Sequence, residues 1–102
     1  MAHRFSVAAS ETLTGTRTLT AAEIDAAHVW NFDPGGAGRN VDLPAVGTSA
    51  GIVLYIGNLA DAAEVLTIRD ASAATICTPT QNESAVVWCD GVRWRGIAGA
   101  NS

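Results

Sequence analysis

Two histidines, His3 and His28, are the only imidazoles in the chain. A hydrolytic metal centre needs several His, Asp or Glu ligands converging on one ion, and only Asp25 lies near His28 in sequence. His28 therefore reads as a surface or subunit-contact residue. A Ser/His/Asp relay can occur in any chain order, but its nucleophile sits on a sharp elbow such as G-x-S-x-G. Ser49, in Gly47-Thr48-Ser49-Ala50-Gly51, resembles a flexible connection instead. The glycines of Gly35-Gly36-Ala37-Gly38-Arg39 lack a phosphate-binding lysine and precede a strand pattern rather than a helix, so they read as a turn. Asp25, Asp33, Asp42, Asp61, Asp70 and Asp90 fall mostly at turns and do not follow EF-hand spacing. Calcium at a loop or on a trimer axis stays open as a reading. The chain is expected to be non-enzymatic, with no cofactor and no metal centre.

Cys77 and Cys89 are too far apart for a C-x-x-C site and have no Cys/His companions. Buried free thiols and a disulfide are the two readings for them.

The residues with the strongest recognition chemistry lie near the C-terminal end. Ser84–Cys89 and Val92–Arg95 are rich in strand formers and flank Asp90-Gly91, a pair suited to a two-residue type I′ hairpin turn. Such a turn sets Cys89 opposite Val92, Trp88 opposite Arg93, Val87 opposite Trp94 and Val86 opposite Arg95. One face is then core-like, formed by Cys89, Val92, Val87 and Trp94. The other interleaves Val86 and Trp88 with Arg93 and Arg95, too apolar for water and too charged for burial. A guanidinium over an indole is worth roughly 0.5–2 kcal/mol, and Trp and Arg dominate interface hot spots. An intramolecular cover and a subunit or partner contact are both open for the Trp88–Arg93 pair.

At 102 residues the chain has room for one domain. Hydrophobic residues make up 48%, but 19 of the residues are alanine, so large core side chains are few, and assembly is a natural way to gain burial. A net charge of −4, with no lysine and six scattered arginines, argues against a nucleic-acid partner. The longest apolar stretch, Gly51–Gly57, is too short to span a bilayer. Residues 1–10 have no apolar segment of the secretory-signal kind.

Coarse patterning predicts an extended N-terminal arm, Met1–Gly15, followed by one β-domain over 16–102. Strand candidates are Thr16–Thr20, His28–Phe32, Arg39–Leu43, Ile52–Ile56, Glu64–Asp70, Ala74–Thr78 and the final pair. Thr20-Ala21-Ala22-Glu23 matches a capping box and predicts one short helix. About seven or eight short strands with turns between them point to an all-β fold. The expectation is a single antiparallel β-sandwich or barrel-like, jelly-roll-like domain.

Ile52–Ile56 running into Gly57-Asn58, then Val65-Leu66-Thr67-Ile68-Arg69-Asp70, Cys89-Asp90-Gly91 and Trp94 together resemble the small β-domains of tailed-bacteriophage virion proteins, over roughly residues 43–97. These domains occur in capsid decoration (cement) proteins and in head or tail fibres. The resemblance implies a structural protein on the capsid surface of the virion, assembled in the host cytoplasm as a homo-oligomer, commonly a trimer, and bound to the major capsid protein. Its short length favours decoration over a fibre or baseplate accessory, the alternative, in which Trp30, Tyr55 and Trp88 would stack on sugars. On this reading the contact residues are His3, Arg4 and Phe5 on the arm with Tyr55, Val86, Trp88, Arg93 and Arg95 on the body.

Overall fold

The computed structural model describes residues 4–101, so His3 lies outside the described residues. Among these are nine short strands, one six-residue helix and one 3-10 turn, Val46–Thr48. In chain order they are β1 (Glu11–Thr12), β2 (Arg17–Thr18), α1 (Ala21–Ala26), β3 (Val29–Asp33), β4 (Arg39–Asp42), β5 (Val53–Asn58), β6 (Leu66–Arg69), β7 (Thr75–Cys77), β8 (Glu83–Cys89) and β9 (Trp94–Ala100). The strand-rich expectation with one short helix is met, and the strands lie close to the alternating apolar runs.

The pairing differs from the expected antiparallel domain. The strands form two mixed sheets, ordered β1-β3-β5-β8-β9 and β2-β4-β6-β7, and build neither a closed barrel nor a clean single sandwich. The first six are laid alternately in the two sheets, so each pairs in parallel with the strand two positions away. The chain thus winds in a coil, and only β7, β8 and β9 turn back antiparallel. The strand stretches carry no local mark of this, because an inward-outward alternation looks the same in either pairing.

The interior lies between the two sheets. Phe32, Leu54, Ile56 and Val87 face Val41, Leu66 and Ile68, all without solvent exposure. Trp30 and Trp94 are buried too, each with its indole N–H donating to a carbonyl, Ala27 O and Pro44 O, at 3.0 and 2.9 Å. The indoles therefore contribute large apolar area without leaving an orphaned donor.

The N-terminal stretch lies against the body. Val7 bridges Val29, Ala8 N–H donates to Val29 O at 2.9 Å, and Leu13 is buried. Gly35 holds this corner: its φ of +76° suits glycine, and a Cβ there would run into the Leu13 carbonyl oxygen.

The open end of the coil is closed by charge. Thr20 caps α1 with a capping box, its Oγ1 accepting from Glu23 N–H while Glu23 Oε1 accepts from Thr20 N–H. The Glu23 carboxylate also binds Arg17, which in turn holds Glu11 at 2.8 Å. The Arg17 guanidinium lies 5.6 Å from the centre of the Trp30 ring, and Ile24 of α1 is buried beneath this lid. Edges of sheets invite further pairing unless covered or charged, and this one is both. Arg17 pulls the Glu23 carboxyl down from 4.5 to about 2, and the Thr20 N–H adds to the effect. A carboxyl depressed in the folded state stabilises fully above its unfolded value and loses that contribution as pH falls through the folded one. Stability is therefore expected to fall as pH drops from about 4.5 towards 2. Arg17→Met should flatten that part of the acid-unfolding curve followed by circular dichroism, and an unchanged slope would contradict the assignment.

The final hairpin keeps the expected faces for Val86–Cys89, Trp94 and Arg95 but not for Val92 and Arg93, and it does not keep the expected register. Trp94 pairs with Cys89, Arg95 with Trp88, Gly96 with Val87 and Ile97 with Val86. The loop is thus four residues, Asp90–Arg93, and not a two-residue turn. The Asp90 carboxylate organises it, accepting from Val92 N–H and Arg93 N–H and pairing with Arg95 Nε at 2.6 Å. These donors, Arg95 foremost, hold the Asp90 carboxyl well below the usual range. The extra residues put Val92 in solvent, 79% exposed, and not in the core. Both cysteines are free, Cys89 buried and Cys77 half-buried, and burial pushes the Cys77 thiol up to about 11.

Candidate contact face

The outer face of the five-stranded sheet collects Phe5, Val7, Tyr55 and Ile97, four of the six large exposed apolar side chains among the described residues. In β5 the buried Leu54 and Ile56 alternate with outward Val53, Tyr55 and Gly57; in β8 the buried Ala85 and Val87 alternate with Val86 and Trp88. Register then aligns one outward residue per strand: Val7, Val29, Tyr55, Val86 and Ile97 stand side by side across the whole sheet. Tyr55 and Ile97 are 39% and 65% exposed. Phe5 extends the row, its ring 5.6 Å from Tyr55 and 5.3 Å from His28. The next rank carries Val53, Trp88 and Arg95.

On the other side of the row the outward positions are small. Asn31, Gly57, Ser84 and Gly99 share a rank, and a Cβ on Gly57 would lie 2.6 Å from Asn31 Oδ1. The missing side chains leave a groove of about 420 Å³ between the Tyr55–Ile97 row and Asn31, Ser84 and Asn101. It is shallow and open, with an apolar wall and amide and hydroxyl groups opposite.

Five of the residues marked from sequence meet on this face: Phe5, Tyr55, Val86, Trp88 and Arg95. Arg93 does not. The longer loop moves it off the rank of Trp88, whose cross-strand partner is Arg95, and leaves it exposed at the tip. Arg4 is exposed at the start of the described chain. The cation–π contact among the described residues is Arg17 over Trp30, not one at Trp88. Val7, Val29 and Ile97 carry no such mark in the sequence; each is an unremarkable β-former, and only register aligns them with Tyr55, parallel from Val7 through Val29 on one side and antiparallel through Val86 to Ile97 on the other.

The other residues weighed for chemistry have structural roles or lie elsewhere. Ser49 is buried, its hydroxyl donating to Ala45 O at 2.8 Å. His28 packs beside Phe5. A carboxylate group of Asp33, Asp61 and Glu64 converges at the opposite end of β3 from His28, with ligand atoms within 4.8 Å of one another. No protein-family model matches the chain, and neither a curated protein nor a solved structure shows significant similarity to it.

Proposed function

We propose that the chain is a structural, non-enzymatic virion protein: a decoration or cement protein that sits as a trimer on the outside of a tailed-phage head shell, against the major capsid protein. The observation that carries this reading is the apolar row Val7–Val29–Tyr55–Val86–Ile97 with Phe5 laid over it. A contiguous exposed apolar patch marks a contact surface, and aromatic anchors beside arginine are the composition of interface cores. The face is apolar in the middle with Arg95 at one side, and a ring of three copies would set it against a different patch of the neighbouring chain. Phe5 lies at the same face, with the exposed Arg4 next to it in the chain, where an arm would reach the shell. The acidic charge fits a protein that binds neither nucleic acid nor a membrane, assembled in the host cytoplasm and carried on the capsid surface.

The groove supports a second reading, a head or tail fibre or baseplate accessory that binds carbohydrate. Tyr55 flanks it as a stacking platform, and Asn31, Ser84 and Asn101 offer polar partners for hydroxyl groups. The two readings differ in abundance. Quantitative mass spectrometry of particles purified from the phage that encodes the chain should find hundreds of copies per particle for decoration. A few to a few dozen copies would favour the fibre or baseplate reading, and absence would overturn both.

A further inference from the structure

We propose that Asp33, Asp61 and Glu64 form a calcium-binding site. Asp33 is the last residue of β3, and Asp61 and Glu64 lie in the loop that follows β5. Because β3 and β5 are parallel neighbours, with Phe32 opposite Asn58, their C-terminal ends emerge side by side and bring the three carboxylates together. Their ligand oxygens all lie within 4.8 Å of one another. Calcium takes oxygen ligands at about 2.3–2.6 Å, so oxygens sharing one ion are separated by up to about 5 Å.

A second observation is independent of the clustering. Glu64 is half-buried as a residue, and its Oε1 is sealed from solvent with no hydrogen-bond partner. Burying an ionised oxygen without a partner is costly unless a proton or a cation satisfies it. No arginine is ion-paired with any of the three carboxylates among the described residues: Arg17 is held by Glu11 and Glu23, Arg69 by Asp42 and Arg95 by Asp90. The loop itself is held in place. The buried Asn58 donates to Glu64 O and Pro79 O and accepts from Ala60 N–H, so the carboxylates are positioned by the fold.

The donor set selects the ion. Three carboxylates with no imidazole or thiolate suit a hard cation. Magnesium demands a near-ideal octahedron and keeps several waters, whereas calcium accepts an irregular oxygen set from loop side chains.

The test is thermal unfolding of the full chain after chelation, with and without added calcium chloride. At calcium near a hundred times its dissociation constant, the melting temperature should rise by on the order of 10–20 °C. Asp61→Asn, at an exposed position, should melt like the parent in chelator and lose most of the calcium response. Glu64→Gln should melt above the parent in chelator, because the orphaned charge is gone, and below it in calcium. Unfolding of the parent that ignores calcium, or an Asp61→Asn variant that keeps the full shift, would overturn the site. An equal shift with magnesium chloride would overturn the assignment to calcium.

Discussion

Asn58→Ala is expected to destabilise the fold by about 3–5 kcal/mol, a large part of the roughly 5–15 kcal/mol that keeps a small domain folded. Asn58 is 2% exposed at the end of β5, next to the fully buried Phe32 of β3. Its side chain ties three points of the chain together: Nδ2 reaches Glu64 O and Pro79 O, both at 3.0 Å, and Oδ1 takes Ala60 N–H at 2.8 Å. Alanine leaves the Ala60 N–H buried without a partner, strips one bond each from two carbonyls and opens a small cavity. Pro79 O also accepts from Leu66 N–H, so its loss is partial. The shift in urea midpoint gives the value, and a loss below about 1 kcal/mol would show that water or a loop rearrangement replaces the amide.

The second large effect is on association. Tyr55→Asp combined with Ile97→Asp places two carboxylates in the middle of the apolar row, on strands already side by side through Val86. Both positions are exposed in the single chain, so the fold should tolerate the change with a modest loss, chiefly the Tyr55 contact with Phe5. In an assembled face the carboxylates would be buried without partners, and the dissociation constant for self-association should rise about 10²-fold or more. An unchanged circular dichroism spectrum with lost association is the expected combination. Association that survives the double substitution would remove this face from the interface.

The elements of this fold are legible in the residues, and their arrangement is not. The capping box at Thr20 and Glu23 forms as expected because its signal is contained in four residues. The strands β3, β4 and β6 fall on the alternating runs, since burial of one face imposes that pattern in any sheet, and β5 falls on the near-continuous apolar run Ile52–Ile56, whose outward Tyr55 is nevertheless 39% exposed. Parallel pairing joins residues such as Val29 and Tyr55 across an intervening strand of the other sheet, and no local chemistry marks that partnership. The hairpin register turned on how Asp90 is used. A type I′ turn needs only backbone angles at Asp90-Gly91, but the carboxylate captures two amides and Arg95 and widens the loop to four residues. The role of Asn58 is invisible in the sequence, because an amide gives no hint of which carbonyls it will meet. The same limit applied to the contact face. Tyr55, Val86, Trp88 and Arg95 stand out by residue type, whereas Val7, Val29 and Ile97 acquire meaning only from register.

Sedimentation equilibrium of the unmodified chain, over a wide range of concentration, tests most directly the claim that the outer face of the five-stranded sheet is an assembly surface. The predicted result is a mass that climbs with concentration towards three chains. A single-chain mass at every concentration would contradict it.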